Sequence, residues 1–159
     1  MDQLAADFAD RGAGCAFLYT SEAHPGENFP PLESIEQKLG NARALSEQRG
    51  IARPVYADAL SGDCHLAYGG LPNMCWIFSS TGVVLYKADW TGVESVQSAL
   101  EHLLDARERR RAGQRTVGFH VERLDYRRRD REEFFKVLEQ CGPQAVQDFS
   151  DTFGPDWAS

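Results

Sequence analysis

Chemistry in this chain begins with Glu22 and His24, two positions apart in Ser21-Glu22-Ala23-His24-Pro25-Gly26, a stretch whose proline, glycine and polar residues make it a loop. A carboxyl group beside an imidazole that titrates near neutrality can do general acid–base work, provided a ligand reaches both. The same residues also suit a capping and turn role ahead of Pro25-Gly26. Thiols are the other candidates. Cys64 stands beside His65 at the end of a short helical stretch, where the helix dipole does not favour a thiolate and chance adjacency explains the pair equally well. Cys75 follows Pro72 by three residues inside an apolar run, where a cysteine is more often a small core residue than a reactive one. Cys15 and Cys141 read as core positions, and His102 and His120 as surface or packing residues. The four cysteines contain no Cys-x-x-Cys, which argues against a zinc knuckle or a dithiol motif. A metal site would have to be gathered from His24, His65 and a distant cysteine with no ligand spacing in its favour, so neither a metal nor a cofactor is expected.

The clearest of the elements that must position these groups is a hairpin. Pro72 opens the run Met74-Cys75-Trp76-Ile77-Phe78, Ser79-Ser80-Thr81-Gly82 turns it with Gly82 at the left-handed position, and Val83-Val84-Leu85-Tyr86-Lys87 answers. Proline is confined to the first residue or the edge of a strand, so Pro72 marks a corner and a place for a cis bond. Residues 15–20 form a continuous apolar run such as a buried parallel strand shows, after a helix over 2–11 that Gly12 and Gly14 end. Glu22 and His24 then occupy the loop leaving that strand's carboxyl end, where open α/β sheets bind ligands. Ile35, Leu39, Ala42 and Leu45 predict an amphipathic helix over 33–49 capped by Gly50, followed by a short strand over 54–58 and a turn or two of helix over 61–68. Thr91-Gly92-Val93-Glu94 has capping-box spacing ahead of the stripe Val93, Val96, Leu100, Leu103 and Leu104. This order predicts an α/β layered domain over residues 1–106.

Residues 107–159 read as a helical extension packed on that domain. Residues 107–115 are a basic linker or frayed helix end, and 116–124 form a further strand-like run. Asp130 with Glu133 caps a helix bearing Phe134, Val137, Leu138 and Cys141, and Gly142-Pro143 ends it and starts another bearing Val146, Phe149 and Phe153. The extension is too apolar to be disordered. Tyr19, Tyr56, Tyr68, Trp76 and Trp90 could line an aromatic pocket, although at this spacing aromatic residues are more often core.

The totals narrow the function classes. The 159 residues suffice for one core with an appendage, and the net charge of -7 disfavours nonspecific nucleic-acid binding. The basic runs 107–115 and 127–129 are interleaved with acids and read as solvated surface. No apolar run approaches the roughly 18–20 residues that span a bilayer. The first residues are acidic and amphipathic where a secretory signal is basic and then apolar, so the expected location is the cytoplasm, with thiols free.

Taken together, Phe17-Leu18-Tyr19-Thr20-Ser21-Glu22-Ala23-His24-Pro25-Gly26, Ile35-Glu36-Gln37-Lys38, Pro54-Val55-Tyr56-Ala57-Asp58, Tyr68-Gly69-Gly70-Leu71-Pro72 and the hairpin ending Val84-Leu85-Tyr86-Lys87 resemble the iodothyronine deiodinase-like, AhpC-TSA-like group of thioredoxin-fold redoxins over about residues 2–104. The resemblance implies a thioredoxin-like three-layer α/β/α sheet with a C-terminal hairpin, and Pro72 matching the proline beside the family's active site. Glu22 and His24 match the acid and imidazole near its substrate. Members of the family start with a strand and a loop bearing a reactive cysteine or selenocysteine, followed by the helix whose last turns match residues 4–11. This chain begins inside that helix, without the strand that in the family lies between those matched by 15–20 and 74–79. The run 116–124 is the spare segment for such a place, and pairing of two copies through the open sheet is the other remedy.

The function implied is a thiol-dependent oxidoreductase acting on a small organic substrate. Glu22 and His24 would polarise or protonate that substrate, Cys64 or Cys75 would be the thiol, Tyr19, Pro72 and Trp76 would touch the substrate, and a thiol reductant would be a partner. The alternatives are a non-redox enzyme on the same scaffold using Glu22 and His24 alone, and a non-catalytic binding or assembly protein.

Overall fold

The structure is a computed structural model and describes residues 1–116 and 130–154. Its elements run α1 (Asp2–Ala9), β1 (Phe17–Tyr19), α2 (Ile35–Arg49), β2 (Val55–Ala57), α3 (Asp63–Ala67), β3 (Cys75–Phe78), β4 (Val84–Ala88), α4 (Val93–Arg111), α5 (Arg131–Cys141) and α6 (Pro143–Phe153). The architecture is mixed α/β. β1 pairs with β2 in parallel, Phe17 opposite Val55 and Tyr19 opposite Ala57, with α2 as the crossover. β3 and β4 form the expected hairpin, Cys75 opposite Ala88, with an irregularity in register after Ile77. Its turn has Gly82 at φ 83°, and Ser79 Oγ accepts from the amides of Thr81 and Val83. The Leu71–Pro72 bond is trans, so the cis bond considered for that corner is not used.

One continuous sheet was expected, and among the described residues there are two of two strands each, with no pairing between them. Each ribbon leaves side chains open. Leu18 and Tyr56 stand opposite one another and are 38% and 61% exposed, and Phe78, Val84 and Leu85 are exposed on the hairpin. The run 15–20 therefore yields only a three-residue strand, buried at Tyr19 alone. A parallel pair without further strands and without helices on both faces cannot bury a continuous apolar run. The strand-like run 116–124 lies, after Thr116, outside the described residues.

Local chemistry explains the helix limits. Ser34 Oγ accepts the Gln37 amide at 3.1 Å to start α2, and Gly50 ends it at φ 59°. Its buried stripe is Lys38 and Ala42, whereas Ile35 and Leu39 are exposed, because the Lys38 ammonium reaches the Ala59 carbonyl at 2.7 Å. The capping box at Thr91 does not form. The Thr91 hydroxyl donates instead to the Asn73 carbonyl at 3.1 Å, Gly92 becomes the cap, and α4 runs past residue 106 to Arg111. In the extension Asp130 caps α5 through the Glu133 amide at 3.0 Å, and Pro143 starts α6. The core comes in two clusters. Leu4 and Phe8 of α1 meet Val96 and Leu104 of α4, with Cys75, Ile77 and Tyr86 of the hairpin against them. Leu138, Cys141 and Ala145 form the second with Phe134, Val146 and Phe149. Among the described residues no helix is long and apolar enough to cross a membrane.

Candidate functional site

Tyr19 ends β1 with its ring buried and its hydroxyl donating to Glu22 Oε1, and Asn41, projecting from α2, donates its amide to the same oxygen at 3.2 Å. Burial raises the Glu22 carboxyl above the usual carboxylate range, and the Asn41 hydrogen bond only partly opposes this. Both donors converge on Oε1, which leaves Oε2 as the atom to carry a proton. The side chain lines a crevice of about 350 Å³ together with Thr20, Ser21, Pro31, Leu32, Leu60, His65 and Leu66, at the carboxyl ends of the parallel pair. That is where the β1 loop was expected to present it.

His24 goes elsewhere. Its ring is packed edge-on between Phe149 of α6 at 4.9 Å and Phe134 of α5 at 5.7 Å, and burial lowers its pKa. It lines a second cavity of about 290 Å³ with Ala145, Asp148 and Phe149, and Pro25 borders both cavities. The acid–base pair suggested by spacing is thus divided between two sites by the docking of α5 and α6 over its loop. That loop is held firmly. The Asn28 amide donates to the Cys141 carbonyl at 3.0 Å, its side chain donates to the Gln140 carbonyl at 3.0 Å, and the Glu27 carboxylate accepts the Gln144 amide in the first turn of α6. Arg49 adds contacts to Glu133 and Gln140. Gly26 and Gly142 are both buried at this junction: a side chain at Gly26 would strike the Cys141 carbonyl, and one at Gly142, with φ 118°, would strike Glu27. The end of α5 also reaches Glu22, since burial and the Glu22 carboxylate together raise the Cys141 thiol.

Asp58, at the end of β2, builds the opposite wall. Buried at 5% exposure, it accepts the amides of Ala59, Cys64 and His65 at 2.8, 3.1 and 2.8 Å. Desolvation alone would raise its pKa, but those three amides and the nearby Lys38 charge outweigh it and hold the carboxyl low. Asp58 thereby fixes α3, puts His65 at the crevice rim, and places Cys64 in the first turn of that helix rather than at its end. The Cys64 thiol does not line the crevice. His65 Nε2 is 2.9 Å from the Leu71 carbonyl and ties down the chain before Pro72, which is exposed and lines neither cavity. Cys75 lies on the hairpin face turned to the α1–α4 core, its thiol raised mainly by burial. Trp76 points the other way, between Tyr68 at 5.2 Å and a stacked Phe78 at 6.2 Å, with the Lys87 ammonium 5.4 Å from its ring centre. Of the expected substrate contacts, Tyr19 alone is joined to Glu22.

Asn41, Asp58, Glu27 and Cys141 are the participants that pattern reading passed over. An acid between a strand and a small-residue turn was the available signal for Asp58. Among the described residues no group of three or more His, Cys, Asp or Glu side chains is gathered to hold a metal ion. Comparison of the chain with models of protein families, with curated proteins and with solved structures found no match.

Proposed function

We propose that the Glu22 crevice binds a small organic molecule and that Glu22, its carboxyl raised by burial, is its proton donor, on a scaffold of thioredoxin-like type. The observation that carries this is the convergence of the Tyr19 hydroxyl and the Asn41 amide on one oxygen of a half-buried carboxyl at a crevice. A raised carboxyl keeps its proton to a higher pH than solution carboxylates do, which suits it to proton donation. Leu32, Leu60 and Leu66 supply apolar wall and Thr20 and Ser21 polar rim, which suits a neutral ligand with an apolar body and one oxygen or nitrogen acceptor. Glu22 Oε2 would donate to that acceptor, and Oε1 would keep its two donors as the charge develops. The parallel β1–α2–β2 unit followed by the hairpin and α4 is the element order that supports the scaffold assignment.

The redox reading has less support at this site, because neither Cys64 nor Cys75 lines the crevice. Cyclohexanone is a suitable probe, being neutral and apolar with one carbonyl acceptor. Its binding should shift the amide signals of Thr20, Ser21 and His65, weaken as pH rises through the Glu22 titration, and lose that pH dependence in Glu22→Gln. Shifts confined to other surfaces, or binding indifferent to pH, would overturn the proposal. Iodoacetamide labelling separates the redox alternative: a fast-reacting Cys64 in the native protein would restore it.

A further inference from the structure

The last helix builds a second ligand-sized space. Ala145, Asp148, Phe149 and Phe153 of α6 line, together with His24, the cavity of about 290 Å³. Phe149 is the ring its neighbours share: the His24 ring centre lies 4.9 Å away at an interplanar angle of 75°, and that of Phe153 lies 4.9 Å away at 38°. Three rings inclined to one another therefore make an angled wall rather than a flat patch. Phe134 backs two of them, 5.2 Å from Phe149 and 5.7 Å from His24, without lining the cavity itself. Burial lowers the His24 pKa, so the imidazole favours its neutral form and adds no repelling charge. Among the described residues that line the cavity, Asp148 alone carries a charge. Its side-chain partner is the neutral Gln144 amide at 2.6 Å, and it forms no ion pair among the described residues. The Thr152 hydroxyl is turned to the Asp148 carbonyl at 2.7 Å. Phe153 is 64% exposed, apolar area that a ligand would cover.

We infer that this cavity is a binding site for a small quaternary ammonium ion, held by the rings of His24, Phe149 and Phe153 and by the charge of Asp148. Such an ion is attracted to aromatic rings within about 6 Å, and the attraction grows as the ion sheds water. The polar groups decide the kind of cation. A primary ammonium brings three N–H groups that lose water on entry and need acceptors. The side chains of the lining offer it the Asp148 carboxylate, already shared with Gln144, the Thr152 hydroxyl, turned to the backbone, and an imidazole packed among rings. A quaternary ammonium has no N–H to satisfy. It presents spread charge and methyl groups, for which aromatic rings, Ala145 and one counter-charge suffice. An anion would meet the Asp148 carboxylate, and a neutral molecule of the same shape would gain nothing from it. The lining shares only Pro25 with that of the Glu22 crevice, and the inference does not rest on the role of Glu22.

The test titrates the whole chain with choline chloride at constant ionic strength, followed by NMR of the backbone amides, beside two comparison ligands. One is the neutral dimethylbutanol in which carbon replaces the choline nitrogen, and the other is ethanolamine, the primary ammonium. Choline should give saturable shifts at the amides of Ala23, His24, Asp148, Phe149 and Phe153. The neutral isostere, which keeps the shape and loses the charge, should bind roughly tenfold more weakly. Ethanolamine should also bind more weakly than choline. Asp148→Asn, which keeps an oxygen for the Gln144 amide, should weaken choline roughly threefold to fivefold and leave the isostere unchanged. Phe153→Leu, which keeps apolar bulk at an exposed position and removes the ring, should weaken choline more than the isostere. Equal affinity for choline and its isostere, shifts that grow without saturating, shifts centred on the Glu22 crevice, or tighter binding of ethanolamine would each overturn the inference. Comparison of the three ligands on the unaltered protein decides the matter even where a variant fails to fold.

Discussion

Glu22 departs from an ordinary carboxyl because a polar group has been taken partly out of water without a cation to meet it. Its neighbours are neutral donors, Tyr19 and Asn41, and the thiol of Cys141 rather than an arginine or lysine. The direction of the resulting stability effect is fixed by linkage. Between the usual carboxylate pKa and its raised value, the folded protein holds a proton that the unfolded chain has released, so stability falls as pH rises through that window and stays lower above it. Glu22→Gln should therefore be more stable than the unaltered protein at pH 7 to 8, and the difference should vanish below the ordinary carboxylate range. Denaturant midpoints measured across pH would check this, and a variant equally stable at every pH would refute it. Asn41→Ala, which removes a hydrogen bond to the charged form, should move the Glu22 titration higher still, as read by NMR of the side-chain carboxyl.

At the scale of elements, the informative joints are those where one segment leaves no room in another. Gly26 sits against the carbonyl of Cys141 at the corner between α5 and α6, so Gly26→Ala must push that corner away or shift its own loop. Overpacking of this kind costs about 1–3 kcal/mol, and the loss should appear as faster proteolysis of α5 and α6 with the hairpin unaffected. Lys38 is the corresponding joint between α2 and β2. It is 1% exposed, donates to the Ala59 carbonyl and faces Asp58, so Lys38→Met leaves a buried carbonyl unpaired and a buried carboxylate without its cation. Leaving a buried acceptor unpaired costs about 1–3 kcal/mol, and calorimetry should show a drop in melting temperature at neutral pH. Neither joint was legible as such. Gly50, Gly82, Asp130 and Pro143 announced their turns and caps because those depend on a residue and its immediate neighbours. Lys38 was hidden because an apolar count of α2 assigns Ile35 and Leu39 to the core, and only the position of the Ala59 carbonyl, distant in sequence, reverses that choice. Glu22 was legible from its loop, whereas the removal of His24 depended on aromatic rings more than a hundred residues further along the chain.

For the whole molecule, the two hydrophobic clusters set what can open without the rest. α1, α4 and the hairpin share one, α5 and α6 share the other, and contacts to α5 and α6 include those of residues 24–28, Arg49 and Glu22. An exposed ion pair such as Arg49 with Glu133 contributes about 0–1 kcal/mol, so it adds little beside the aromatic seating of His24 and the backbone hydrogen bond of Asn28 to the Cys141 carbonyl. A unit attached in this way should open at lower free energy than the molecule as a whole. His24 makes that opening depend on pH. Its pKa is lowered in the folded state, so its packing contributes full stability above the imidazole's ordinary pKa, and that contribution is lost as pH falls through the lower folded value. Asp148, which lines the same cavity, is already engaged by the Gln144 amide at 2.6 Å. Native-state hydrogen exchange should find the amides of α5 and α6 opening below the global free energy, and more readily at pH 5.5 than at pH 7.5 once intrinsic rates are corrected. The amides of α4 should follow global unfolding at both. His24→Phe should remove the pH difference while keeping the two-tier pattern, because a phenyl ring fills the same aromatic seat without titrating. A single free energy shared by α4, α5 and α6 would show instead that the clusters unfold as one.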